Sequence, residues 1–168
     1  YFNQIFQSPL APNASARDVA YAPHGWGDVL FMPYLMSFHP FRVGEIAWRD
    51  WRIATLYTLL PLAIIVRLFF GRNRSRTDAL STPYGSRYLL VSFAMTYFVW
   101  LMMFTIYRYA VGIEMIAPLL IVITVGMLPL KISTRGLVTA FILAILSASI
   151  IPGNWHRRSA WLDSFIEA

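Results

Sequence analysis

Residues 88–107 read YLLVSFAMTYFVWLMMFTIY, a stretch without a single charge. At 1.5 Å per residue, a helix of that length covers about 30 Å, the thickness of the hydrocarbon core of a bilayer. Two further stretches, 115–130 and 136–156, also lack Asp, Glu, Lys and Arg, with Glu114 just ahead of the first. A fourth apolar run, from Ile53 to Phe70, is interrupted only by Arg67. That residue lies one turn from the end of the run, where a long side chain reaches the headgroups. The pattern predicts an all-α membrane protein with about four transmembrane helices, at 53–70, 88–107, 112–130 and 136–152.

The composition agrees. Of 168 residues, 58% are hydrophobic and only 13% charged, about half the charged share of a soluble domain. The formal net charge is +6, but the basic residues sit in short loops between apolar runs and form no stripe for nucleic acid. Anionic lipid headgroups are the partner that this distribution fits. There is no cysteine, which excludes disulfides, zinc–thiolate sites, iron–sulfur clusters and thiol nucleophiles. The chain opens on Tyr1 with no leader-like pattern, so a fragment of a larger protein is expected.

Loop charges give an orientation, because cytoplasmic loops carry excess Lys and Arg. Arg72, Arg74, Arg76 and Arg87 against Asp78, and then Lys131 and Arg135, assign loops 71–87 and 131–135 to the cytoplasm. Residues 1–52, with four arginines and four acids, fall outside, together with the Arg108 hairpin and a tail at 153–168. Residues 1–27 are rich in Pro, Asn, Ser and Gly and read as irregular. Two interfacial helices are expected in the outer segment. One, at about 28–38, is capped by Asp28; the other, at about 42–52, has Glu45 and Arg49 spaced i,i+4 and tryptophans at headgroup depth.

Candidate chemistry concentrates on Tyr107, Arg108, Tyr109 and Glu114. Opposite charges at a membrane boundary are costly unless they pair, meet water or meet a ligand. A turn near Gly112 could join Arg108 to Glu114. Arg108 suits a bidentate phosphate clamp, with Glu114 orienting it or binding a sugar hydroxyl; an ion pair or headgroup contact flanked by belt tyrosines is the simpler alternative. His24 and Asp28 are a weaker pair for general-base or binding chemistry, and no spacing matches a metal motif. Asn13-Ala14-Ser15 fits a glycosylation acceptor, a pattern common by chance. Pro61 and Pro118 can kink their helices and free backbone carbonyls.

The opening YFNQIFQSP, the HGW at 24–26, the tail NWHRRSAWLDSFIE at 154–167 and above all IYRYAVGIEMIAPLLI at 106–121 resemble segments of large bacterial polytopic glycosyltransferases of GT-C architecture. The resemblance implies a bacterial inner-membrane location and a polyprenyl-phosphate sugar donor used on the extracytoplasmic side. It also implies that the catalytic acid, typical of a first outer loop, lies upstream of this chain. On that basis Arg108 would bind the donor phosphate with Tyr107 and Tyr109 flanking, while Glu114 positions Arg108 or the sugar. The rest of the parent chain would be needed for activity, a divalent cation is possible, and Gly112 replaces a proline that many relatives carry. The competing classes are a non-enzymatic membrane component, such as a scaffold or transport subunit, and a polymerase or ligase of lipid-linked glycans.

Overall fold

A computed structural model describes residues 21–44, 47–70, 83–103 and 105–151. Among them are five α-helices and no strand: α1 (Trp26–Phe38), α2 (Arg52–Phe70), α3 (Pro83–Met103), α4 (Val111–Gly126) and α5 (Ile132–Ser149). Three of these, α2, α3 and α5, are long and apolar enough to cross a membrane, and α4 is a shorter apolar helix. The expected loop arginines 72, 74 and 76, the tail after Pro152, Glu45 and the Asn13 motif lie outside the described residues.

The boundaries differ from the sequence reading where a local interaction overrides hydropathy. Helix α1 begins at Trp26 with Gly25 as its N-cap, so Asp28 sits inside the first turn. From there its carboxylate accepts the His24 backbone N–H at 3.0 Å and the Arg42 guanidinium at 3.1 Å. The helix expected over 42–52 is absent from the described part of that segment. Arg49 instead exchanges both backbone hydrogen bonds with Ile151, at 3.2 and 3.1 Å, and groups so used cannot serve a helix. Helicity starts only at Arg52, whose N–H is received by Asp50 at 2.8 Å. Helix α3 starts at Pro83, where a missing N–H costs nothing in a first turn, and stops at Met103 rather than Tyr107.

Thr105 explains that stop. Its φ of 50° is left-handed, a region that β-branched residues rarely occupy. Three hydrogen bonds close the reversal: Thr105 N–H to the Trp100 carbonyl (3.0 Å), the Thr105 hydroxyl to the Leu101 carbonyl (2.8 Å) and Trp100 Nε1 to the Ile106 carbonyl (2.9 Å). The chain then forms a short 3-10 turn, Tyr107–Tyr109, before entering α4.

Helix α4 is the hub, packing against α2, α3 and α5. Eight of its 16 residues are buried, against two of 18 in α5, so the shortest helix of the bundle is also its centre. Leu120, Ile121 and Val125 join Leu56 and Leu146 in one core cluster. A second cluster forms where α1 lies against the bundle, with Met32 and Met36 against Val43, Ile53, Trp100 and Ile113. Tyr34 pins α1 to α2, its hydroxyl 2.7 Å from that of Thr58. Many large apolar side chains point outward, among them Leu68, Phe69, Leu137 and Phe141. Such a surface is compatible with an integral membrane protein and unusual for one in water.

The backbone bonds also order the ends of the helices. Val43 meets Tyr107 through a 2.6 Å hydrogen bond, and Arg49 meets Ile151. One end of the bundle therefore gathers residues 43–44 and 47–52, the 105–110 turn and the end of α5. Arg67, Arg87, Lys131 and Arg135 lie at the other end, on the last turn of α2, the start of α3 and the start of α5.

Asp28→Asn should loosen the start of α1, seen as faster amide hydrogen exchange over residues 24–32. The backbone N–H of His24, and then Arg42, hold the Asp28 carboxyl below its ordinary range. A depressed carboxyl retains its contacts above the unfolded value and loses them only as pH falls through the lowered one. At pH about 4, near the ordinary aspartate value, the native chain should still protect these amides, after correction for intrinsic exchange, while the variant does not. Thr105→Gly relaxes the backbone but removes the hydroxyl, whereas Thr105→Val keeps the strain and removes the bond. The valine variant should therefore show the lower thermal midpoint in detergent.

Candidate functional site

The site is built around Glu114, only 2% exposed in the first turn of α4. A buried carboxylate needs donors on both oxygens, and the structure supplies them from two distant segments. Trp48 Nε1 donates to Oε1 at 3.2 Å, and the Tyr107 hydroxyl donates to Oε2 at 2.6 Å. The two donor rings rest on each other, with centroids 4.5 Å apart. The Arg52 guanidinium stands 3.7 Å from Oε2.

Arg52 is shared. Its Nε donates to Asp50 Oδ2 at 2.6 Å, its NH2 forms an ion pair with the same carboxylate, and its NH1 donates to the Glu114 backbone carbonyl at 3.1 Å. That last acceptor is free for a definite reason. In an α-helix the carbonyl of residue 114 would receive the N–H of residue 118, and Pro118 has none. The proline thus leaves one carbonyl open within the buried turn, and Arg52 occupies it. Asp50, 2% exposed, balances the guanidinium and also receives the first N–H of α2, where a negative charge is favoured by the helix dipole.

The candidates singled out in the sequence now separate. Tyr107 and Glu114 are brought together by direct hydrogen bonding. Arg108 is not Glu114's partner: it is exposed, with its guanidinium carbon 5.7 Å from the centroid of the Tyr109 ring, a cation–π distance. The cation beside Glu114 is Arg52, reached across 62 residues of chain. Asp28 is engaged by Arg42 and by the His24 backbone, and the His24 side chain is exposed. Among the described residues no cluster of His, Asp and Glu could hold a metal ion.

Trp48, Asp50 and Arg52 did not stand out as site residues in the sequence. The available signal was the proline four places after Glu114, together with the WRDWR run at 48–52 that enters α2. No protein-family model, curated protein or solved structure matches this chain.

Removing one partner of a buried ion pair costs about 3–5 kcal/mol in soluble proteins, so Glu114→Ala should sharply lower the thermal midpoint in detergent. Glu114→Gln, which keeps an acceptor for Trp48, should lower it less. A double-mutant cycle tests the role of the proline. Pro118→Ala restores an N–H to the Glu114 carbonyl, so Arg52→Ala should cost about 0.5–1.5 kcal/mol less in that background than in the native one.

Proposed function

We propose that the chain is an integral membrane protein of four spans, α2 to α5, forming part of a glycosyltransferase that takes its sugar from a polyprenyl-phosphate donor. In this reading α4 is the fourth span. Its 16 residues cover about 24 Å, and the apolar residues 127–130 that follow extend it. The arginine-rich connection at 71–82, with Arg87 near the start of α3, is cytoplasmic by the positive-inside rule, which makes the Glu114 end extracytoplasmic.

The observation that carries the proposal is the setting of Arg108. Its neighbour Tyr107 is fastened on both sides, through its N–H to Val43 and through its hydroxyl to Glu114, while Arg108 itself faces outward on the same short turn. An exposed guanidinium on an anchored turn at a membrane boundary is a preorganised phosphate ligand. Glu114 then has a positioning role through Tyr107, since it is buried and each of its oxygens already receives a donor from the protein. Positive charge held at Arg108 stabilises the lipid phosphate as its bond to the sugar breaks. A non-enzymatic scaffold is favoured by one observation, the internal satisfaction of the Glu114 cluster, which needs no ligand to exist.

In the full-length protein reconstituted in liposomes, Arg108→Ala should reduce transfer from a polyprenyl-phosphate sugar by about tenfold or more, the worth of a charge-assisted hydrogen bond. Arg108→Lys should fall between, since lysine lacks the planar fork. Unchanged transfer and unchanged donor binding in Arg108→Ala would remove the assignment. No transfer by the native full-length protein from any polyprenyl-phosphate sugar would leave the scaffold reading in its place.

A further inference from the structure

Three acids are described in the structure, and each is committed. Asp28 is held by Arg42, while Asp50 and Glu114 are held by Arg52, with Trp48 and Tyr107 also donating to Glu114. Two guanidinium groups at the same end of the bundle, those of Arg49 and Arg108, meet no carboxylate among the described residues. Arg49 is the more unusual of the two. It is half-buried, and its Nε is sealed from solvent without an acceptor among the described residues.

The backbone of Arg49 has little freedom to relieve this. Its N–H and carbonyl are both bonded to Ile151, and the residues on either side are locked, Trp48 onto Glu114 and Asp50 onto Arg52. A charged donor enclosed without an acceptor costs more than a neutral one in the same position. The two terminal nitrogens of the same guanidinium are not enclosed in this way, and through them the position suits an anion supplied from outside the bundle. The Trp48–Tyr107 ring pair places its chain neighbours, Arg49 and Arg108, on this same end. Two arginines there match the several oxygens of a phosphate group, which takes planar forked donors readily.

We infer that Arg49 is a phosphate-binding residue, acting beside Arg108 on the headgroup of an amphiphile in the outer half of the bilayer. The inference deepens the glycosyltransferase reading and rests on it for the end of the bundle that meets the donor. The phosphate can belong to a polyprenyl monophosphate or to a bulk anionic lipid, which share the chemistry.

The test uses the full-length protein in phosphatidylcholine nanodiscs, titrated in one arm with polyprenyl monophosphate and in the other with phosphatidylglycerol, with bound lipid counted by native mass spectrometry. Arg49→Ala should weaken retention about tenfold or more, Arg49→Gln nearly as much, and Arg49→Lys by only part of that. Loss confined to polyprenyl monophosphate identifies a donor site, and equal loss in both arms identifies a general lipid-phosphate site; either supports the inference. Native retention of both lipids by Arg49→Ala and Arg49→Gln overturns it. So does a lowered thermal midpoint shared by Arg49→Ala and Glu45→Gln with phosphate binding intact, because Arg49 would then serve an internal ion pair with the acid four residues before it. Transfer lost in Arg108→Ala together with native lipid retention in Arg49→Ala sinks this inference and leaves the function standing. Retention lost in Arg49→Ala from a protein that transfers no sugar does the reverse.

Discussion

The bundle depends on satisfying one carboxylate in a place where water cannot do it. Glu114 is buried in the first turn of the most enclosed helix, and its charge is tolerable only because Trp48, Tyr107 and Arg52 converge on it. Those partners come from both sides of the fold. The convergence ties the segment before α2 to the turn before α4. Lipid offers no hydrophobic drive between helices, so in a bilayer polar closure of this kind carries much of the burden of holding α2 and α4 in register.

Pro118 contributes to that closure through what it lacks. The carbonyl it leaves unpaired becomes an additional contact for Arg52, so a feature that weakens the helix locally strengthens the join between helices. Thr105 is a parallel case on the other side of the turn. Its left-handed backbone ends α3 early and shapes the entry to the short turn that presents Tyr107 toward Glu114 and leaves Arg108 outside. Both are departures from regular geometry within a few residues of the candidate site, where stored strain is most often found.

The helical class and the approximate course of α2, α3, α4 and α5 were legible in the sequence because charge-free runs of helical length leave few alternatives. Helix ends were less legible. Hydropathy extended the second run to Tyr107, but the backbone turns at Thr105, and hydropathy carries no signal for a left-handed threonine. The 42–52 segment reads as an amphipathic helix from the spacing of its charges, yet pairing of Arg49 with Ile151 removes its backbone from any helix. Within the site, Glu114 and Tyr107 were visible as a boundary acid and a belt tyrosine. Their link to Arg52 was not, because a contact spanning 62 residues leaves no local periodicity. The natural guess from proximity in sequence, Arg108, turns out to be directed outward instead.

The chain is synthesised from its N-terminus, so Arg52 emerges well before Glu114 exists. During that interval the guanidinium at the head of α2 needs a counter-charge that is already present, and Asp50, two residues earlier, is available from the start. The Asp50–Arg52 pair is thus a unit whose charges balance before the rest of the bundle is made. Only when α4 arrives, with the Glu114 carbonyl left open by Pro118, does the same guanidinium gain its second set of acceptors. One arginine thus serves in turn as a local counter-charge and as a donor to a helix 62 residues further along the chain.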